Sequence, residues 1–194
     1  LGWMYANGRN VPQDYAQAVQ WFRKAAEQGH SKAQHGLGVS YAKGLGVKQD
    51  YAEALKWYRR AADQGDSNPQ VNLGVMYDSG EGVPKNYAEA LKWYRMAAEQ
   101  GNAHGQYNLG VMYYEGKGLP RNYAEALKWY RMAAEQGNAA GQFSLGVMYH
   151  EGRGVKQDYV QAHMWFNLSS AGLKGEDQQR AATLRDATAA KMTP

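Results

Sequence analysis

The sequence predicts an all-α fold in which helical hairpins stack one upon the next as a solenoid. Three observations predict it. Leu-Gly recurs at Leu1, Leu37, Leu73, Leu109 and Leu145, always 36 residues apart, and Trp21, Trp57, Trp93, Trp129 and Trp165 keep the same spacing. Within one unit the apolar residues step by three and four, and the Trp-bearing helix opens on Asp or Asn and closes on Gly. A fixed period of this length, with no self-sufficient core in any one unit, marks an array whose copies bury one another. The stretch NYAEALKWYRMAAEQGNA stands letter for letter at 86–103 and at 122–139 and holds no Cys, His or Ser. A catalytic constellation gives each group its own surroundings, so this repetition points to structure.

In chain order, a unit begins with a helix predicted over Ser31 to Lys43, carrying LGVSYAKG; later copies read LGVMYDSG, LGVMYYEG and LGVMYHEG. Leu37 and Tyr41 share a face. Gly38, Gly74, Gly110 and Gly146 sit beside them although glycine inside a helix costs about 1 kcal/mol relative to alanine, which predicts a close helix crossing at that point. A Gly-x-Gly loop follows, as in Gly44-Leu45-Gly46; a phosphate cradle would follow a strand and lead into a helix N-terminus, whereas this loop follows a helix, so it is read as a turn. The first copy has Asn10 at the second glycine, the other residue that tolerates positive φ.

The second helix opens on Asp14, Asp50, Asn86, Asn122 or Asp158, with Gln17, Glu53, Glu89, Glu125 or Gln161 three positions on. That is the spacing of a capping box. In DYAEALKWYRRAADQG, Tyr51, Ala54, Tyr58 and Ala61 fall on one face. Arg59 with Asp63, Arg95 with Glu99 and Arg131 with Glu135 are four apart and are expected to pair on the solvent face. Gly29, Gly65, Gly101 and Gly137 end the helix in a left-handed conformation.

The pattern A-x-x-x-LG-x-x-Y-x-x-G-x-GV-x-x-DY-x-x-A-x-x-WY-x-x-AA-x-x-G, as in Ala33 to Gly65, resembles the Sel1-like repeat, a relative of the tetratricopeptide repeat. The resemblance covers 1–174 as five copies (1–29, 31–65, 67–101, 103–137, 139–174), the first incomplete. It implies antiparallel helix pairs in a right-handed superhelix and an adaptor role in which partner proteins are held together. The disulfide-stapled branch of the family is not matched, since there is no cysteine. At the end, HMWFNLSS replaces the usual charged stretch, and 175–194 lacks both LG-x-x-Y and the loop. Ala182, Leu184, Arg185 and Ala189 suggest an amphipathic capping helix there.

Composition suits a folded chain, with 44% hydrophobic, 12% aromatic and 21% charged residues. No apolar run approaches the ~20 residues of a spanning helix. The chain opens within a repeat, so upstream residues are expected and compartment, oligomeric state and flanking domains stay open. Absence of cysteine removes thiol catalysis and thiolate metal sites.

Function is then expected on the helix face opposite Leu37, which by analogy with tetratricopeptide arrays lines a concave groove. The stripe comprises His35, Val39, Ala42 and Lys43; Val71, Val75 and Asp78; Tyr107, Val111, Tyr114 and Glu115; Phe143, Val147, His150 and Glu151. The repeated valines admit two readings, packing between helices or an apolar ladder on the groove floor. Tyr107, Tyr114 and Phe143 vary between copies, as recognition residues are free to do, and aromatic anchors dominate interface energetics. The histidines do not recur at ligand spacing, so no metal and no cofactor is expected. Glu115 and Glu151 fit a hydrolase pair poorly, both being at wet helix ends. A pI of 9.1 raises single-stranded RNA as an alternative, as in pentatricopeptide proteins, yet net charge is only +4 and the stripe mixes Asp78 and Glu115 with Lys43. The expected function is a non-catalytic scaffold that grips a peptide or protein segment; a repeat domain of a larger enzyme is a further alternative.

Overall fold

Each Trp-bearing helix starts where a side-chain acceptor waits for its orphan N–H groups. Asp14 accepts from the Gln17 N–H at 2.9 Å, Asp50 from Ala52 and Glu53, Asn122 from Glu125, and Asp158 from Gln161. The reciprocal half of a capping box is replaced by another bond. The N–H of Asp50 donates to the Tyr41 carbonyl and that of Asp158 to Tyr149, both at 3.0 Å, which ties the loop to the preceding helix. The glutamate of the box position is thereby free for other work: Glu53 accepts from the Trp57 indole at 3.1 Å.

The computed structural model describes residues 1–192, and every regular element among them is an α-helix. The Leu-Gly helices are α1 (Gly2–Asn7), α3 (Ser31–Lys43), α5 (Ser67–Ser79), α7 (Ala103–Glu115) and α9 (Ala139–Glu151). They alternate with the Trp helices α2 (Tyr15–Glu27), α4 (Tyr51–Ala62), α6 (Tyr87–Glu99), α8 (Tyr123–Glu135) and α10 (Tyr159–Gly172), and α11 (Gly175–Ala189) closes the series. Two compact units, Leu1–Ala97 and the residues from Ala98 onward, each have their own packing.

In the first unit, Ala54, Tyr58 and Ala62 of α4 pack with Leu73 and Met76 of α5 and with Trp93 of α6, while Leu37 and Trp57 join Ala18 and Phe22 of α2. In the second, Ala126, Tyr130 and Ala134 of α8 pack with Leu145 and Met148 of α9. The helical glycines mark the expected crossings. A Cβ on Gly38 would stand 2.5 Å from the Tyr58 ring, one on Gly110 2.6 Å from Tyr130, and one on Gly146 2.8 Å from Phe166, so the aromatic of each hairpin lies flush on its partner's backbone. The loop is equally tight. Gly46 has φ 72°, and a Cβ there would meet the Tyr15 carbonyl at 2.3 Å, so the turn rests on the Trp helix of the preceding copy; Asn10 adopts φ 59° at the matching place.

The expected pairing of Arg59 with Asp63 and of Arg131 with Glu135 is not what these arginines do. Arg59 donates to the Tyr77 hydroxyl at 2.9 Å and Arg131 to the Tyr149 hydroxyl at 2.7 Å, as Arg23 does to Tyr41 at 2.8 Å. A reach of 18 residues onto the next helix outcompetes the local ion pair, because a phenol fixed by the core costs less ordering than two mobile surface chains.

Helix α11 packs against α10, and the centre of its buried face falls on two residues not named from the sequence. Ala181 and Thr188 are fully buried; Ala182, Leu184, Arg185 and Ala189 are half-buried. Residues 193 and 194 of the expected capping segment lie outside the described residues. The reason for the face is register. Gln106, Gln142 and Gln178 donate to the carbonyls of Ala98, Ala134 and Ser170, each eight residues back, at 3.4, 3.2 and 3.0 Å. Helix α11 is therefore a degenerate sixth Leu-Gly helix, in which Ala181 and Ala182 stand where Leu and Gly stand in the others.

Candidate functional site

In the first unit the predicted stripe divides. Ala42, Lys43 and Val75 line a hollow of about 290 Å³ together with Tyr51, Tyr58 and Asn72. Val75 is 41% exposed. Val71, one turn before Val75 on α5, is only 9% exposed and so offers little surface of its own. Val39 is half-buried against the Tyr58 and Leu73 cluster. His35 is tied down, with Nε2 2.9 Å from the Asn72 amide nitrogen and its ring 5.9 Å from Tyr58. Burial lowers its pKa, Asp66 offsetting part of that, so the imidazole stays neutral. Asp78 is half-buried and, after burial itself, helps raise the pKa of Tyr94.

The second unit brings more of the stripe together. Tyr107, Val111, Tyr114 and Glu115 of α7 meet Phe143 and Val147 of α9 around a hollow of about 230 Å³. His150 and Glu151 stand with Val147 at an adjoining hollow of about 440 Å³. The two readings of the valines merge here, since Val111 packs against the Tyr130 and Leu145 cluster on one side and opens to the hollow on the other. Tyr107 and Tyr130 stack at 5.9 Å. Burial raises the pKa of both, and of Tyr114, so these hydroxyls are neutral at physiological pH.

Charge in this face is largely neutralised locally. Glu115 pairs with Lys117 at 2.7 Å and Glu151 with Arg153 at 2.8 Å. Arg153 also donates to the Tyr114 hydroxyl and lies over the Tyr114 and Tyr123 rings at 5.5 and 5.7 Å. On the Trp helices, Lys56 and Lys128 sit over the indoles of Trp57 and Trp129. No three His, Asp or Glu side chains among the described residues gather in a way that could hold a metal ion. No helix among them is long and apolar enough to cross a membrane.

Ser144, Tyr130 and Arg180 line the same hollow and were not among the predicted residues. A register signal pointed to Arg180. Position n of one Leu-Gly helix touches position n+37 of the next: His35 with Asn72, Tyr107 with Ser144, and Phe143 with Arg180, whose guanidinium lies 5.3 Å over the ring. Aligning Gln178 with Gln142 would have extended the stripe into α11.

The Sel1 repeat model matches residues 1–30, 31–66, 70–102, 103–138 and 139–172. The chain belongs to the Sel1 repeat family. A Sel1 repeat protein from Oxalobacter formigenes is 38% identical with a TM-score of 0.79, over 90% of this chain and 72% of its own. The protein c5321, a protective antigen present in uropathogenic Escherichia coli strains displaying an SLR fold, is 42% identical with a TM-score of 0.81; 98% of this chain matches, but only 44% of that protein. The immunity protein PA5088 from Pseudomonas aeruginosa, 21% identical with a TM-score of 0.59 over 94% of this chain and 76% of its own, shares the fold. Among curated proteins none matches this sequence. Sel1 repeat proteins are in general protein-interaction scaffolds, and the fold is typically non-catalytic.

Proposed function

We propose that this Sel1 repeat chain is a scaffold that binds a segment of a partner polypeptide along the exposed faces of its Leu-Gly helices, with the principal contact on α7 and α9. One observation carries this reading: the aromatic residues that differ between copies, Tyr107, Tyr114 and Phe143, converge with the recurring Val111 and Val147 on one hollow, so that variable side chains stand on a common apolar floor. Half-buried aromatics of this kind supply contact area at low ordering cost, and they are the usual anchors of an interface. Single-stranded RNA is disfavoured on this face. Beside the hollow the cations alternate with acids, Lys117 with Glu115 and Arg153 with Glu151, whereas tracking phosphates needs a continuous positive run.

The test compares proteins retained by the wild-type chain and by the Tyr107→Ala/Phe143→Ala variant, with retained partners cross-linked and the linked residues mapped. Partners lost by the variant and linked to α7 or α9 support the proposal. Equal retention by both, or links confined to the Trp helices, overturns it.

A further inference from the structure

We infer that the segment bound by the second unit is acidic, carrying an Asp or Glu carboxylate beside an aromatic or aliphatic side chain, and that Arg180 receives the carboxylate. This inference rests on the proposed peptide-binding reading and names the chemistry of its ligand. Three hollows of about 220, 440 and 230 Å³ open along α7, α9 and α11, and Arg180 lines all three. Its guanidinium carbon lies over Phe143, 5.3 Å from the ring centroid, a contact that leaves its N–H groups without an acceptor among the described residues, and arginine takes a carboxylate by two parallel hydrogen bonds.

Two other cations of this face are already matched: Lys117 has Glu115, and Arg153 has Glu151 and the Tyr114 hydroxyl. Arg180 alone among these three has no hydrogen bond or ion pair among the described residues. The nearest acidic group on its own helix is Asp177, one turn earlier, which lines only the hollow toward Ala140 and Leu173. Glu115 and Glu151 line the hollows on the opposite side of Arg180, toward Val147, but each has its own cation, so an incoming carboxylate sits there, where the adjoining hollow is mostly apolar and accepts the neighbouring side chain. An unpaired arginine on an aromatic ring at the edge of an apolar trough selects an anion flanked by an apolar group and rejects a purely hydrophobic or basic segment.

Random peptides displayed on phage and selected on the wild-type chain test this, with the Tyr107→Ala/Phe143→Ala variant as counter-selection. The expected winners carry Asp or Glu within two residues of Phe, Tyr, Trp, Leu or Ile. Synthetic copies should bind about tenfold or more weakly to Arg180→Gln, and also when their acid is changed to the amide, the two losses not adding because they remove one contact. Arg180→Gln should keep the wild-type thermal transition. Winners that depend on Tyr107 and Phe143 but show no acidic preference, or bind Arg180→Gln equally, overturn this inference and leave the groove reading standing. Absence of any winner dependent on Tyr107 and Phe143 removes the groove reading itself. Binding of a uridine oligomer with a steep salt dependence that Arg180→Gln abolishes would overturn both in favour of nucleic acid.

Discussion

A single glycine shows how propensity and packing compete. Gly110 interrupts a helix where alanine would be favoured by about 1 kcal/mol, yet a Cβ there would stand 2.6 Å from the Tyr130 ring. Overpacking against a buried ring costs about 1–3 kcal/mol. Gly110→Ala should therefore destabilise by up to about 2 kcal/mol, measured by urea unfolding; a stabilised protein would show that the hairpin yields at this crossing. His35 gives a second residue-scale expectation. Its folded pKa lies below the ordinary 6.5, burial being the main cause. The unfolded chain then binds more protons near that pH, so stability is highest above about pH 7.5 and falls as the pH drops through the ordinary histidine value. His150 is shifted the same way by burial and by Lys191. His35→Gln should flatten the decline between pH 8 and 5.5 in thermal melts without removing it.

Between elements, the bond from a Trp helix to the next Leu-Gly helix holds consecutive copies in register. Arg59 and Tyr77 are 2.9 Å apart, and a double-mutant cycle with Arg59→Gln and Tyr77→Phe should return a coupling of about 0.5–1 kcal/mol, reduced only slightly by 0.5 M salt because one partner is neutral. A coupling that salt abolishes would point back to an ion pair. Burial of the indole acts on a larger scale. Trp93 is 5% exposed and joins α4, α5 and α6 in one cluster, so Trp93→Ala should cost about 3–5 kcal/mol. Helix α11 belongs to the same argument. Its glutamine bond and buried Ala181 continue the register of the Leu-Gly helices, while Ala182 places a methyl where the others leave room for an aromatic.

For the whole molecule, the division of labour between common and variable positions has a measurable consequence. Tyr107 and Phe143 are half-buried at a hollow, so their joint replacement by alanine should leave the far-ultraviolet spectrum and a cooperative melt in place while partner binding falls. Collapse of the fold in that variant would place them in the core. A repeat array tolerates such changes because each copy is held by its neighbours and no single side chain nucleates the whole.

Period, helix ends, turn glycines and the Tyr58-type crossing were all legible in the sequence, because they depend on local chemistry copied five times over. The same periodicity located Tyr107, Val111, Tyr114, Phe143 and Val147 on one face. What tertiary structure alone decided concerns neighbours that are distant in sequence. Arg59 and Arg131 chose a phenol 18 residues away over an acid four residues away, Val71 was covered to 9% exposure, and His35 was claimed by Asn72. Arg180 reached the hollow beside Phe143 because α11 kept the register of the repeat after losing its motif. Pattern reports which residues share a helix face; which of them meet a partner, and which remain open, is set by how the next helix lies against them.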